Sequence, residues 1–130
     1  MKYTDGKNIM VYAQSADGAP VGAALETVSK AAELAKANGE EVIAVVFGKD
    51  TDTKTVITAG ASKVLVAGEE GLPAEEKAQI LVKLAEKYQP KAVYMAGTPE
   101  GKMIAPAVSA AKPPSGTSLV ILLPTVWTMR

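Results

Sequence analysis

The chain contains no cysteine and no histidine in 130 residues. Their absence excludes disulfides, thiolate nucleophiles, Cys/His zinc sites and every histidine-based triad. The lack of cysteine also fits a reducing compartment. Charge of one sign is missing too: 14 basic residues face 14 acidic ones, with no local run of either. Nothing in that balance attracts nucleic acid or anionic lipid. The longest apolar run, SLVILLPTVW at 118–127, is far too short to span a bilayer. MKYTDGKNIM has no apolar signal core. The expectation is a cytoplasmic domain with no nucleic-acid partner and no membrane insertion.

What remains is an ordinary globular mixture, 48% apolar and 22% charged, long enough for one core. Four apolar runs read as strands: NIMVYAQ (8–14), EVIAVVF (41–47), KVLVA (63–67) and KAVYMAG (91–97). They are near-continuous rather than alternating, the pattern of strands covered on both faces in a parallel sheet.

Helical segments fill the gaps. Val21, Leu25, Val28, Ala32 and Ala35 recur at helical spacing opposite Glu26, Lys30 and Glu33, and Gly39 stands where a helix stops. Asp50 or Thr51 caps a short second helix ending at Gly60, with Asp52 a further cap candidate. A third follows Pro73, with Glu75 and Glu76 in its first turn and Ile80, Leu81, Leu84 and Tyr88 as its buried face. The fourth places Ile104, Ala107, Val108 and Ala111 on one side.

This alternation predicts a three-layer α/β fold, a mostly parallel sheet with helices on both faces in the Rossmann-like order 3-2-1-4. The loops QSADGAP (14–20) and AGTPEGK (96–102) then meet at the switch point, where such folds bind ligands.

The second loop resembles a phosphate loop with a piece missing. A Walker loop needs GxxxxGK followed by Ser or Thr. Here Gly97 and Gly101 are one residue too close, and Met103 stands where the hydroxyl belongs. A GxGxxG fingerprint is absent as well. Pro106 places the helix start near Gly101 or Lys102, because a proline deep in a helix costs roughly 3 kcal/mol. On that reading Thr98, Pro99 and Glu100 are loop, and the amides of residues 101–103 beside Lys102 can hold an anion. The plainer reading is a tight β–α turn with a solvated Lys102, and both stay open.

Other candidates are weaker. Glu69–Glu70 and Glu75–Glu76 are sequence neighbours and do not converge on one point. Ser15 and Asp17 are accounted for by turn chemistry. No catalytic set emerges, so no enzyme is expected.

Taken in order, NIMVYAQ, KANGEEVIAVVFGKD, TAGASKVLVAGEE and AEKYQPKAVYMAGTPEGKMIAPAVSAA resemble the N-terminal domain of the alpha subunit of electron transfer flavoproteins. The family's segment T-x-x-G-R-D-L-A-P-R-V-A-A corresponds to residues 98–110. Lys102 and Met103 replace its Arg and Asp, and Ala107 its second Arg.

The resemblance implies a domain over 1–112 and an atypical apolar tail over 113–130. That tail reads either as an edge strand at 118–123 or as the product of truncation or frameshift. It further implies an electron carrier rather than an enzyme, paired with a beta subunit and served indirectly by dehydrogenases. FAD would be the cofactor, held mainly by a domain with no counterpart in this sequence. Gly97, Thr98, Gly101 and Lys102 are the residues expected to contact partner, flavin or nucleotide. The alternative is a stand-alone module holding AMP or ATP at the same loop.

Overall fold

The four apolar runs form adjacent strands because their Val, Ile, Met and Ala side chains need cover on both faces. A computed structural model describes residues 8–16, 18–48, 52–69, 71–88, 90, 92–110 and 119–123. Its strands are β1 (Ile9–Tyr12), β2 (Ser15–Ala16), β3 (Ala19–Pro20), β4 (Val42–Phe47), β5 (Lys63–Gly68), β6 (Ala92–Ala96) and β7 (Leu119–Leu123). Its helices are α1 (Gly22–Ala37), α2 (Thr53–Ala59), α3 (Ala74–Tyr88) and α4 (Pro99–Ala110).

The main sheet runs β5-β4-β1-β6-β7, with every pairing parallel. The predicted order 3-2-1-4 is therefore present, and the apolar run near the C-terminus adds β7 outside it. β2 and β3 form a small separate antiparallel ribbon.

Two apolar layers cover the sheet. On one face Ile9, Val11, Val42, Ala44 and Val46 pack against Ala24, Val28, Ala31 and Ala35 of α1 and Val56 of α2. On the other, Met10, Tyr12, Val45, Phe47, Val93 and Met95 pack against Leu81 of α3 and Ile104 and Val108 of α4. All six residues of β4 are buried, whereas β5 at the edge is half-exposed.

Helices α1, α3 and α4 sit slightly rotated from their sequence reading. The buried residues of α1 are Ala24, Thr27, Val28, Ala31 and Ala35. Leu25 and Ala32, expected at the centre, are only partly buried, and Val21 is the N-cap. Small alanines let the helix approach the sheet, and buried Thr27 satisfies its hydroxyl on the Ala23 carbonyl at 2.9 Å. The helix ends as predicted at Gly39, whose φ of +70° is cheap for glycine. Gly39 N–H donates to Lys36 C=O and Glu40 N–H to Ala35 C=O, a Schellman stop.

Asp52 is the cap of α2, accepting from Lys54 N–H at 3.1 Å and Thr55 N–H at 3.3 Å. Asp50 and Thr51 lie outside the described residues. In α3 the fully buried positions are Lys77, Ala78, Leu81 and Ala85; Ile80, Leu84 and Tyr88 are partly buried. In α4, Ile104, Ala105 and Val108 are buried while Ala107 faces solvent. Ala111 lies outside the described residues.

Candidate functional site

The strands β1 and β6 are neighbours whose following segments leave toward opposite faces, so the switch point falls between residues 13–20 and 97–101. The structure brings both predicted loops together there. Thr98 Oγ1 donates to Gln14 Oε1 across the gap at 2.5 Å. The same oxygen accepts the Gly101 N–H at 3.0 Å. Thr98 is thus the N-cap of α4, with Pro99 at the first helical position, a place suited to a residue without an N–H.

This corrects the expected helix start. α4 begins at Pro99 rather than at Gly101 or Lys102, because the Thr98 hydroxyl supplies a cap that the sequence reading placed in a loop. The correction carries a cost downstream. Pro106 now lies inside the helix, where it removes the N–H that would bond the Lys102 carbonyl, roughly 3 kcal/mol by the usual measure.

The first-turn amides are largely taken. Pro99 has none, Gly101 N–H goes to Thr98 Oγ1, and Lys102 N–H donates to Thr98 C=O at 2.9 Å. Gly101 is required for a different reason from ligand approach. A Cβ at that position would overlap the Ala96 carbonyl oxygen, so the missing side chain lets α4 lie directly on the end of β6. Gly97 and Thr98 are half-buried in the turn, and the Lys102 side chain is exposed. These residues do not present the open amide cradle that a flavin pyrophosphate or an AMP phosphate takes at a helix start.

Beneath the turn lies a network not anticipated from sequence. Tyr12, at the end of β1, donates its hydroxyl to Glu100 Oε1 at 2.6 Å. Lys77, in the first turn of α3, donates to Glu100 Oε2 at 2.8 Å and approaches the Tyr12 hydroxyl at 3.5 Å. The Lys77 side chain is 4% exposed and that of Glu100 24%. The Lys77 ammonium also lies 5.5 Å from the Phe47 ring centroid, within cation–π range. Phe47 packs edge-on against Tyr12, with centroids 5.7 Å apart. Glu100 suits the positive N-terminal end of α4, whereas Lys77 is disfavoured at the start of α3 and depends on its partners.

These partners are 65 and 88 positions apart in sequence, so no local pattern marks them. The available signal was a lysine on the helix face otherwise occupied by Ala78, Leu81 and Ala85.

Ser15 is 9% exposed, and its hydroxyl has no hydrogen-bond partner among the described residues. Among those residues no group of three or more Asp and Glu side chains could hold a metal ion. None of the described helices is long and apolar enough to cross a membrane.

Chemically, the site is a pair of loops tied together by the Thr98–Gln14 hydrogen bond, with the Lys77–Glu100 ion pair at the first turn of α4. The fold and site define a doubly wound α/β domain whose two switch-point loops are joined by the Thr98–Gln14 hydrogen bond. The chain belongs to the electron transfer flavoprotein family: residues 9–112 match the model described as the electron transfer flavoprotein domain.

Among curated proteins it is similar to the electron transfer flavoprotein subunit alpha of Clostridium acetobutylicum, 30% identical over 115 residues. That match covers 85% of this chain and 34% of the relative. The subunit alpha of Thermoanaerobacterium thermosaccharolyticum is 29% identical over 111 residues, covering 82% of this chain and 34% of that protein. The chain thus spans about a third of the length of these relatives. Among solved structures, a universal stress protein in complex with cAMP matches with TM-score 0.55 at 16% identity, covering 91% of this chain and 96% of that one. That likeness shows a shared fold.

Proposed function

We propose that this chain supplies the scaffold and interface part of an electron transfer flavoprotein alpha subunit. In this reading it packs against a beta subunit in the cytoplasm. The complex passes electrons from dehydrogenases to an acceptor through FAD, and the chain is an electron-carrier component rather than an enzyme. FAD is the family's redox group, and the residues of the switch-point turn, with their amides engaged, do not fit it.

The observation that carries the reading is the Thr98 bridge to Gln14 and Gly101, within a chain of this family. Switch-point loops bridged to each other suit a surface shaped for a protein better than a pocket shaped for a small molecule. The turn of residues 97–102 then serves as contact surface. Thr98 and Gly101 fix its shape, and Lys102 presents an exposed charge to the partner.

Co-expression with an electron transfer flavoprotein beta subunit tests this. A one-to-one complex on size exclusion is expected, weakened by Lys102→Glu, with the isolated chain colourless. Failure to form any complex, or stoichiometric flavin on the isolated chain, would overturn the reading.

A second reading keeps some support, because the universal stress protein of similar fold was solved with cAMP. It makes this chain a module that holds AMP at the α4 start through Gly101 and Lys102. The occupied amides of those two residues weigh against it.

A further inference from the structure

We infer that residues 14–20 form a strap across the switch point, latched on both sides by hydrogen bonds and able to open as one unit while the sheet stays intact. The residues flanking it are anchored. Ala13 N–H donates to the Val45 carbonyl at 2.9 Å within the sheet, and Val21 N–H closes the base of the strap on the Gln14 carbonyl at 2.9 Å. Ala13 and Val21 both belong to the apolar layer under α1, whereas no described residue between them belongs to either layer. A segment outside the apolar layers and held by hydrogen bonds belongs to the low-stability end of a fold.

Two latches hold the strap. On the β6 side Thr98 Oγ1 donates to Gln14 Oε1 at 2.5 Å. On the β4 side the turn of the strap is held by the start of α2, where Asp52 N–H donates to the Gly18 carbonyl at 3.0 Å. The latches lie on opposite sides of β1, which sits between β4 and β6 in the sheet.

The closed strap carries a defect that favours opening. Alternation in the ribbon puts the pair Ser15 and Pro20 on one face and the pair Ala16 and Ala19 on the other. Ala16 and Ala19 are exposed while Ser15 is buried, so Ser15 lies on the face turned to the protein. Its hydroxyl has no hydrogen-bond partner among the described residues. Opening lets water reach that hydroxyl and recovers part of what the broken latches lose. The strap thus decides whether the Ser15 hydroxyl is hidden or offered at the switch point, in the isolated chain and independently of any beta subunit.

Hydrogen exchange of the full chain, resolved at single amides by NMR, tests the inference, with circular dichroism confirming the fold of each variant. In the wild type the Val21 and Asp52 amides, corrected for intrinsic rates, should exchange about a hundredfold or more faster than the Ala13 amide. Their rates should depend little on urea, because opening the strap exposes little surface. Ser15→Ala removes the buried hydroxyl and should slow both strap amides about tenfold, whereas Gln14→Ala removes one latch and should speed both about fivefold. The Glu40 amide, bonded to the Ala35 carbonyl at the far end of α1, should keep its rate in both variants. Strap amides that exchange only together with Ala13 would overturn the inference. So would Val21 and Asp52 amides that fail to slow together in Ser15→Ala or to speed together in Gln14→Ala.

Discussion

Replacing Gly101 with alanine separates a close-packing glycine from a ligand-cradling one. The added Cβ would overlap the Ala96 carbonyl oxygen and lie 3.4 Å from Thr98 Oγ1. A backbone carbonyl cannot rotate away as a side chain would, so α4 must lift from β6. Overpacking of this kind costs about 1–3 kcal/mol. Lifting the helix also strains the Gly101–Thr98 hydrogen bond, worth about 1 kcal/mol. Against these stands the better helix propensity of alanine, up to about 1 kcal/mol.

Steric overlap wins, leaving a net loss of about 2 kcal/mol. With an unfolding entropy of about 2.1 cal/mol/K per residue, that loss in a chain of 130 residues lowers Tm by about 7 °C. Gly22→Ala is the matched control, because a Cβ there meets nothing within 4 Å. It should gain up to about 1 kcal/mol. Thermal and urea unfolding of both variants decide the matter. If Gly101→Ala proved as stable as Gly22→Ala, the close approach of α4 to β6 would not be what requires glycine.

The remaining predictions concern the polar residues. Glu100→Ala leaves the Lys77 ammonium buried without its counter-ion and should cost about 3 kcal/mol, while Lys77→Met leaves a carboxylate that can still reach water and should cost about 1 kcal/mol. Urea midpoints for the pair reveal the asymmetry, and equal losses would contradict it. Ser15→Ala removes a buried hydroxyl with no hydrogen-bond partner among the described residues, so Tm should stay level or rise; a clear fall would mean the hydroxyl is engaged.

Asp52 responds to pH. Its hydrogen bond from the Thr55 side chain, and next that from the Thr55 backbone, hold its carboxyl below the usual 3.8. A lowered folded pKa gives stability that is fully present above the unfolded value and is lost as pH falls through the folded one. Asp52→Ala should therefore lower Tm at neutral pH and make progressively less difference below pH 3.8. A loss independent of pH would rule out the charged cap.

The sheet was legible in the sequence because buried parallel strands write themselves as unbroken apolar runs. VIAVVF and IMVY land on β4 and β1 with boundaries moved by only a residue or two. The Gly39 stop was equally readable, whereas at α2 the cap is Asp52, which the reading offered only after Asp50 and Thr51. Helix faces were less so. Large apolar side chains were taken as the core contacts, whereas the sheet accepts small Ala24, Ala31 and Ala85 at closest approach and leaves Leu25 and Leu84 at the margin. The start of α4 was misplaced because Pro106 was read as a first-turn residue. Thr98 capping lets the helix begin earlier and tolerate an interior proline. The Tyr12–Lys77–Glu100 network had no local signature, since its members meet only after three separate elements dock.

The Thr98 bridge between the switch-point loops, with the Gly101 and Lys102 amides engaged, leaves no open phosphate cradle at the start of α4. Calorimetric titration of the purified full chain with AMP into the millimolar range tests it most directly. No saturable heat is expected, for the wild type and for Lys102→Ala alike. Micromolar binding that weakens on replacing Lys102 would contradict it and make the α4 start a nucleotide site.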